Sequence, residues 1–114
     1  MRLSEILELL HGELLTRHEL KHIDVAKCLC SDMMSDVLAF AEPGTLLITG
    51  LTNHQSVRTA DIAGAAAILY IRGKKPDKET LALATEMNIP VLATKIGMFE
   101  AAGILHAAGL EGIC

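Results

Sequence analysis

From Ala41 to Thr94 the chain alternates short, unbroken apolar runs with amphipathic stretches, and a turn residue marks each join. TLLITG reads as a strand buried on both faces, TNHQSVRTADIAG as a short helix, and AAAILYIRG as a second buried strand. PDKETLALATEMN then reads as a second helix and IPVLATKIG as a third strand. The central strands are expected at Leu46–Thr49, Ala67–Ile71 and Val91–Ala93. Gly64, Asn88 and Gly109 each stand just before an apolar residue, the pattern of a helix that ends in a left-handed residue. Asp77 is placed to cap the helix it opens. Strand, helix, strand at this spacing implies crossover connections and a mainly parallel sheet.

The flanks extend the pattern. Ser4 is expected to cap a first helix that Gly12 ends in the left-handed conformation, and Glu13–Thr16 to form a short edge strand. Thr16–His22 reads as irregular, and Val25–Cys30 as a strand. Ser31 or Asp32 is expected to cap the next helix, which runs to Ala41 and is stopped by Pro43 and Gly44. Gly112–Cys114 reads as a last strand. The expected fold class is α/β: one domain over 1–114, a three-layer α/β/α sandwich around a mainly parallel sheet.

Composition supports this. Hydrophobic residues make up 51% of the 114 residues, and the only aromatics are Phe40, Tyr70 and Phe99, so the core is aliphatic, as in sheets covered on both faces. Such a load on a small domain leaves apolar surface over, which favours a homodimer or larger assembly through Met33, Met34, Phe99 and the C-terminal helix. The formal charge of −4 and the scarcity of aromatics argue against a nucleic-acid partner. No apolar run reaches the ~20 residues needed to span a membrane, and MRLSEILELL does not read as a signal peptide. Three cysteines, an odd number, fit a reducing, cytoplasmic setting. Cys28 and Cys30 form a C-x-C inside an apolar strand rather than a knuckle on a turn, so they are expected to be reduced and metal-free.

No phosphate-cradling loop, dinucleotide fingerprint, nucleophile elbow or zinc-protease motif occurs, and no catalytic constellation assembles. Candidate chemistry is placed instead by topology, because open α/β sheets bind ligands beyond the carboxyl ends of their strands. That rim collects Thr49, Gly50, Asn53, His54, Arg72, Gly73, Lys74, Thr94 and Lys95. The set pairs cations with hydroxyls and an amide, and its glycines let backbone N–H groups approach a ligand. Arg72 and Lys95 are expected to converge on one anion, such as a phosphorylated or nucleotide-type metabolite. No cofactor is implied.

CLCSDMMSDVL, AEPGTLLITG and AGAAAILYIRGKKPDKETLALATEMNIPVLATKIGMFEAA together resemble a DRTGG domain over about Glu13 to Cys114. The same ordering is similar to the N-terminal domains of HPr kinase/phosphorylase and of Mur ligases, and to the middle domain of some phosphotransacetylases. The resemblance implies a three-layer sandwich and a regulatory or ligand-binding role without established catalysis. DRTGG domains also occur beside CBS domains, and as short bacterial stand-alone proteins near hydrogenase and signalling genes. In this sequence the Thr-Gly-Gly part of the family's motif falls on Arg72-Gly73-Lys74, where Gly73 alone matches. The Asp-Arg part falls near Asn53 to Ser56, where neither residue stands, and Arg58 is displaced from it. The leading expectation is a non-catalytic regulatory module for a small anionic ligand. The alternatives are a protein-interaction domain without a ligand, and a small metal or redox accessory protein linked to hydrogenase.

Overall fold

The structure, a computed structural model, describes residues 1–113. Its elements run α1 (Leu3–Leu9), β1 (Glu13–Leu14), β2 (Lys27–Cys30), α2 (Met34–Phe40), β3 (Thr45–Thr49), α3 (His54–Ala63), β4 (Ala67–Tyr70), α4 (Lys78–Glu86), β5 (Val91–Ala93), α5 (Met98–Ala107) and β6 (Glu111–Gly112). The strands form one sheet in the order β1-β5-β4-β3-β2-β6. All neighbours are parallel except β1, which pairs antiparallel with β5 through Glu13↔Ala93 and Leu14↔Leu92.

The two faces of the sheet carry separate apolar cores. Leu46, Ile48, Leu69, Leu92 and Cys28 pack beneath α1 and α5 with Leu3, Ile6, Ala101 and Leu105. Leu29, Leu47, Ile68, Tyr70 and Val91 pack beneath α2, α3 and α4 with Val37, Val57, Ala60 and Ala84. Alternate residues of each central strand thus serve opposite layers, and β3, β4 and β5 are buried along their whole length. The fold is the expected α/β three-layer sandwich, with the three central strands where the apolar runs placed them.

Local endings follow the backbone. Gly64, Asn88 and Gly109 adopt φ of 72°, 59° and 104°, and Asp77 accepts the Thr80 N–H at 2.8 Å as a cap. Other details depart from the sequence pattern. The first helix starts at Leu3, because Arg2 and not Ser4 is its cap. The left-handed residue after it is His11, at φ 48°. Gly12 serves close packing instead: a Cβ there would lie 3.1 Å from the Ala93 carbonyl oxygen and from Leu7. Met33 precedes α2 without a capping side chain, since Asp32 is drawn away to β3. Ser31 Oγ does accept the Met33 N–H at 3.0 Å, which holds the turn before the helix. The last strand is Glu111–Gly112, one residue earlier than expected, and Cys114 lies outside the described residues.

Candidate functional site at the carboxyl rim of the sheet

The chain leaves β4 toward α4 on one face and leaves β5 toward α5 on the other. Adjacent parallel strands whose continuations diverge in this way open a crevice at their carboxyl ends, the place where such sheets bind ligands. The two loops are tied at its base: Arg72 N–H donates to the Ile96 carbonyl at 3.0 Å and Gly73 N–H to the Thr94 carbonyl at 2.9 Å. Arg72 and Gly73 turn the chain with φ of 58° and 71°. For arginine this left-handed conformation costs about 1–2 kcal/mol.

Most of the neutral polar groups expected to meet a ligand are used within the protein. Thr49 and Thr94 end β3 and β5 in the same way, both buried. Thr49 Oγ1 donates to Asp32 at 2.9 Å and accepts the Leu51 N–H, while Thr94 Oγ1 donates to the Leu10 carbonyl at 2.7 Å and accepts the Ile96 N–H. The Gly50 N–H donates to Asp32 Oδ1 at 2.7 Å, so the N–H groups of Gly50 and Gly73 both have partners inside the fold. Asn53 Oδ1 caps α3 by accepting the Ser56 N–H, and His54 Nδ1 pairs with Thr80 Oγ1 at 3.1 Å. Within the structure these groups thus hold the scaffold of the rim together.

The cations are differently placed. Arg72 and Lys74 both reach toward β3: the Arg72 guanidinium lies 3.1 Å from where a Gly50 Cβ would stand, and Lys74 Nζ donates to the Gly50 carbonyl at 3.1 Å. A side chain at Gly50 would press on the Arg72 guanidinium, and the Asp32 carboxylate lies 3.6 Å from the same point. The Gly50 N–H, the Thr49 hydroxyl, Arg72 and Lys74 together hold the Asp32 carboxyl below its usual range. Lys95 lies apart, on the β1 side. It lines a cavity of about 500 Å³ with His11, Glu13, Gly73, Lys75 and the apolar Leu10 and Ile96. Lys75 is paired there with Glu13 at 2.7 Å. Among the described residues, Arg72, Lys74 and Lys95 form no ion pair with a carboxylate within 4.0 Å.

Arg72 and Lys95 thus border two stations of one crevice: Arg72 a cationic one above β3, and Lys95 an apolar, lysine-edged cavity beyond β5. The α5 N-terminus borders the first station, since the stem of Arg72 passes 4.0 Å from a Cβ position at Gly97. Gly97 caps α5 without a side chain, leaving the first N–H groups of that helix without side-chain acceptors. His11 and Glu13 were not legible as cavity residues. Their place depends on β1 pairing with β5, a contact some 80 residues distant along the chain.

Residues 5–108 match the family model of the DRTGG domain. The chain belongs to the DRTGG domain family. Among solved structures it is similar to the CBS and DRTGG domains of the regulatory region of Clostridium perfringens pyrophosphatase, crystallised in complex with an activator, diadenosine tetraphosphate. The TM-score is 0.71 at 20% identity, over 91% of this chain and 45% of that one. This chain therefore spans less than half the length of that regulatory region, and at this identity the likeness is one of fold. No curated protein matches the sequence.

Proposed function

We propose that the protein is a non-catalytic regulatory module that binds a small anionic ligand of phosphorylated or nucleotide type at the carboxyl rim of its sheet. The observation that carries this reading is the crevice between the β4 and β5 loops. Its cations Arg72, Lys74 and Lys95 form no ion pair within 4.0 Å among the described residues, with the Asp32 carboxylate standing near the first two. An apolar cavity of about 500 Å³ adjoins them. A flat apolar group fits the cavity while a phosphate meets the guanidinium, a division of labour common in ligand sites. Family membership supports the regulatory half of the reading, as does the regulatory region of the structural neighbour. The test is a thermal-shift screen of phosphate, acyl phosphates and nucleotides against wild type, Arg72→Ala and Lys95→Ala. A binder should stabilise wild type, and Arg72→Ala should weaken it about tenfold to a hundredfold, the worth of a charged hydrogen bond of about 1.5–3 kcal/mol. Equal stabilisation of all three proteins, or none of any, overturns the site.

A second reading, docking of a protein partner or a second copy, is favoured by the exposed apolar side chains. Phe99 is 90% exposed on α5, and Met33 at 60% and Ile62 at 74% stand clear on the α2–α3 side.

A further inference from the structure

The C-x-C of β2 faces the α5 side of the sheet. Cys28 and Cys30 sit two residues apart on one strand, so both side chains point to the same face, and their sulfurs are 3.9 Å apart. Both line a groove of about 460 Å³ between the β2–β6 edge and α5, with Phe99, Gly103 and His106 along its wall. Cys30 is the more open of the two, while Cys28 is 8% exposed. Neither is in a disulfide.

We propose that Cys30 and Cys28 form a thiol–disulfide exchange site that takes small disulfides from the groove, with Cys30 as the attacking and Cys28 as the resolving thiol. In the first step the Cys30 thiolate attacks one sulfur of the small disulfide. That S–S bond breaks, a mixed disulfide forms on Cys30, and one thiolate leaves. In the second step Cys28, having lost its proton to water, attacks Cys30 Sγ. The mixed disulfide breaks, the second thiolate leaves, and the Cys28–Cys30 bond remains. The protein loses two electrons and two protons, and the small disulfide becomes two thiols.

The chemistry fits the order of attack. The hydrogen bond between the thiols holds the Cys30 thiol below its usual range and, with burial, pushes Cys28 up. An accessible, more acidic thiol beside a buried partner is the arrangement of a redox-responsive pair. Side chains two apart on one strand face leave their Cβ atoms farther apart than the ~3.5–4.5 Å a disulfide spans, so closing the Cys28–Cys30 bond from the 3.9 Å sulfur separation requires β2 to bend locally.

The test uses the Cys114→Ser background, which leaves only these two of the chain's three cysteines. Native protein is incubated with oxidised glutathione, quenched in acid, and read by intact mass and peptide mapping. The background protein should lose two hydrogens and recover them with dithiothreitol. Adding Cys28→Ser should trap one glutathione on Cys30. Adding Cys30→Ser should slow adduct formation on Cys28 at least tenfold. Because a serine variant can fail to fold, the background protein is also alkylated with less than one equivalent of iodoacetamide, which should mark Cys30 before Cys28. No reversible disulfide in native protein, or Cys28 reacting first, overturns the proposal.

Discussion

Asp32 and Gly50 are joined across two parallel strands by a 2.7 Å hydrogen bond from the Gly50 N–H to the Asp32 carboxylate. The bond ties the β2–α2 turn to the β3–α3 turn and leaves Asp32 beside the two cations of the rim. Asp32→Ala should cost about 1 kcal/mol in urea unfolding, less than the ~1.5–3 kcal/mol of a charged hydrogen bond because the carboxylate is exposed. The sign with pH follows from the lowered carboxyl. The folded state holds the charged form better than the unfolded chain, so the contribution is present above the ordinary value of 3.8 and is lost as pH falls below it. The stability gap between wild type and Asp32→Ala should therefore be constant near neutrality and close below about pH 4. A gap that widens in acid contradicts this.

Tyr70 is fully buried in β4, and its hydroxyl pairs with Ser56 Oγ at 2.7 Å while Ser56 donates on to the Asn53 carbonyl. This chain anchors the first turn of α3 beneath the rim. Tyr70→Phe should cost about 1 kcal/mol. Burial pushes the Tyr70 phenol above its ordinary value of 10.0. Above that pH the unfolded chain loses the proton first, so wild type should lose stability in alkali through this group. The phenylalanine variant lacks that component, and denaturant midpoints across the alkaline range check the difference.

Gly64 ends α3 at φ 72°, where its N–H reaches the carbonyls of Ala60 and Asp61. Gly64→Ala should cost about 1–2 kcal/mol, since only the backbone conformation is penalised. A Cβ there would meet Pro43 at 3.4 Å, an ordinary contact. Equilibrium unfolding in urea reads the cost, and a neutral substitution would show that the turn relaxes.

The exposed apolar side chains lead us to expect self-association. Light scattering at micromolar concentration should give at least twice the 12.2 kDa chain mass, and Phe99→Glu or Ile62→Glu should lower it. A monomer at all concentrations contradicts the expectation.

The layered fold was legible because its signals are local. Unbroken runs such as TLLIT and AILY betray strands covered on both faces, and Gly64, Asn88 and Gly109 mark helix ends by their backbone freedom. Asp32 misled because its type and position suit a cap, whereas its partners, Thr49 and Gly50 at the end of β3, lie 17 and 18 residues away. Gly12 misled similarly: it answers a close approach of Ala93, and His11 takes the left-handed turn. At the rim, topology located the loops correctly but not the direction of side chains. Hydroxyls such as Thr49 and Thr94 read as ligand donors, yet once buried each needs a partner within the fold.

The most direct test of anion binding at this rim is an amide NMR titration of the ¹⁵N-labelled protein with ATP and with diadenosine tetraphosphate. Saturable shifts confined to Gly50, Arg72–Lys75 and Lys95–Phe99, reduced in Arg72→Ala, are expected. Absence of shifts at millimolar nucleotide, or shifts centred on α2 and α3, would contradict anion binding at the rim.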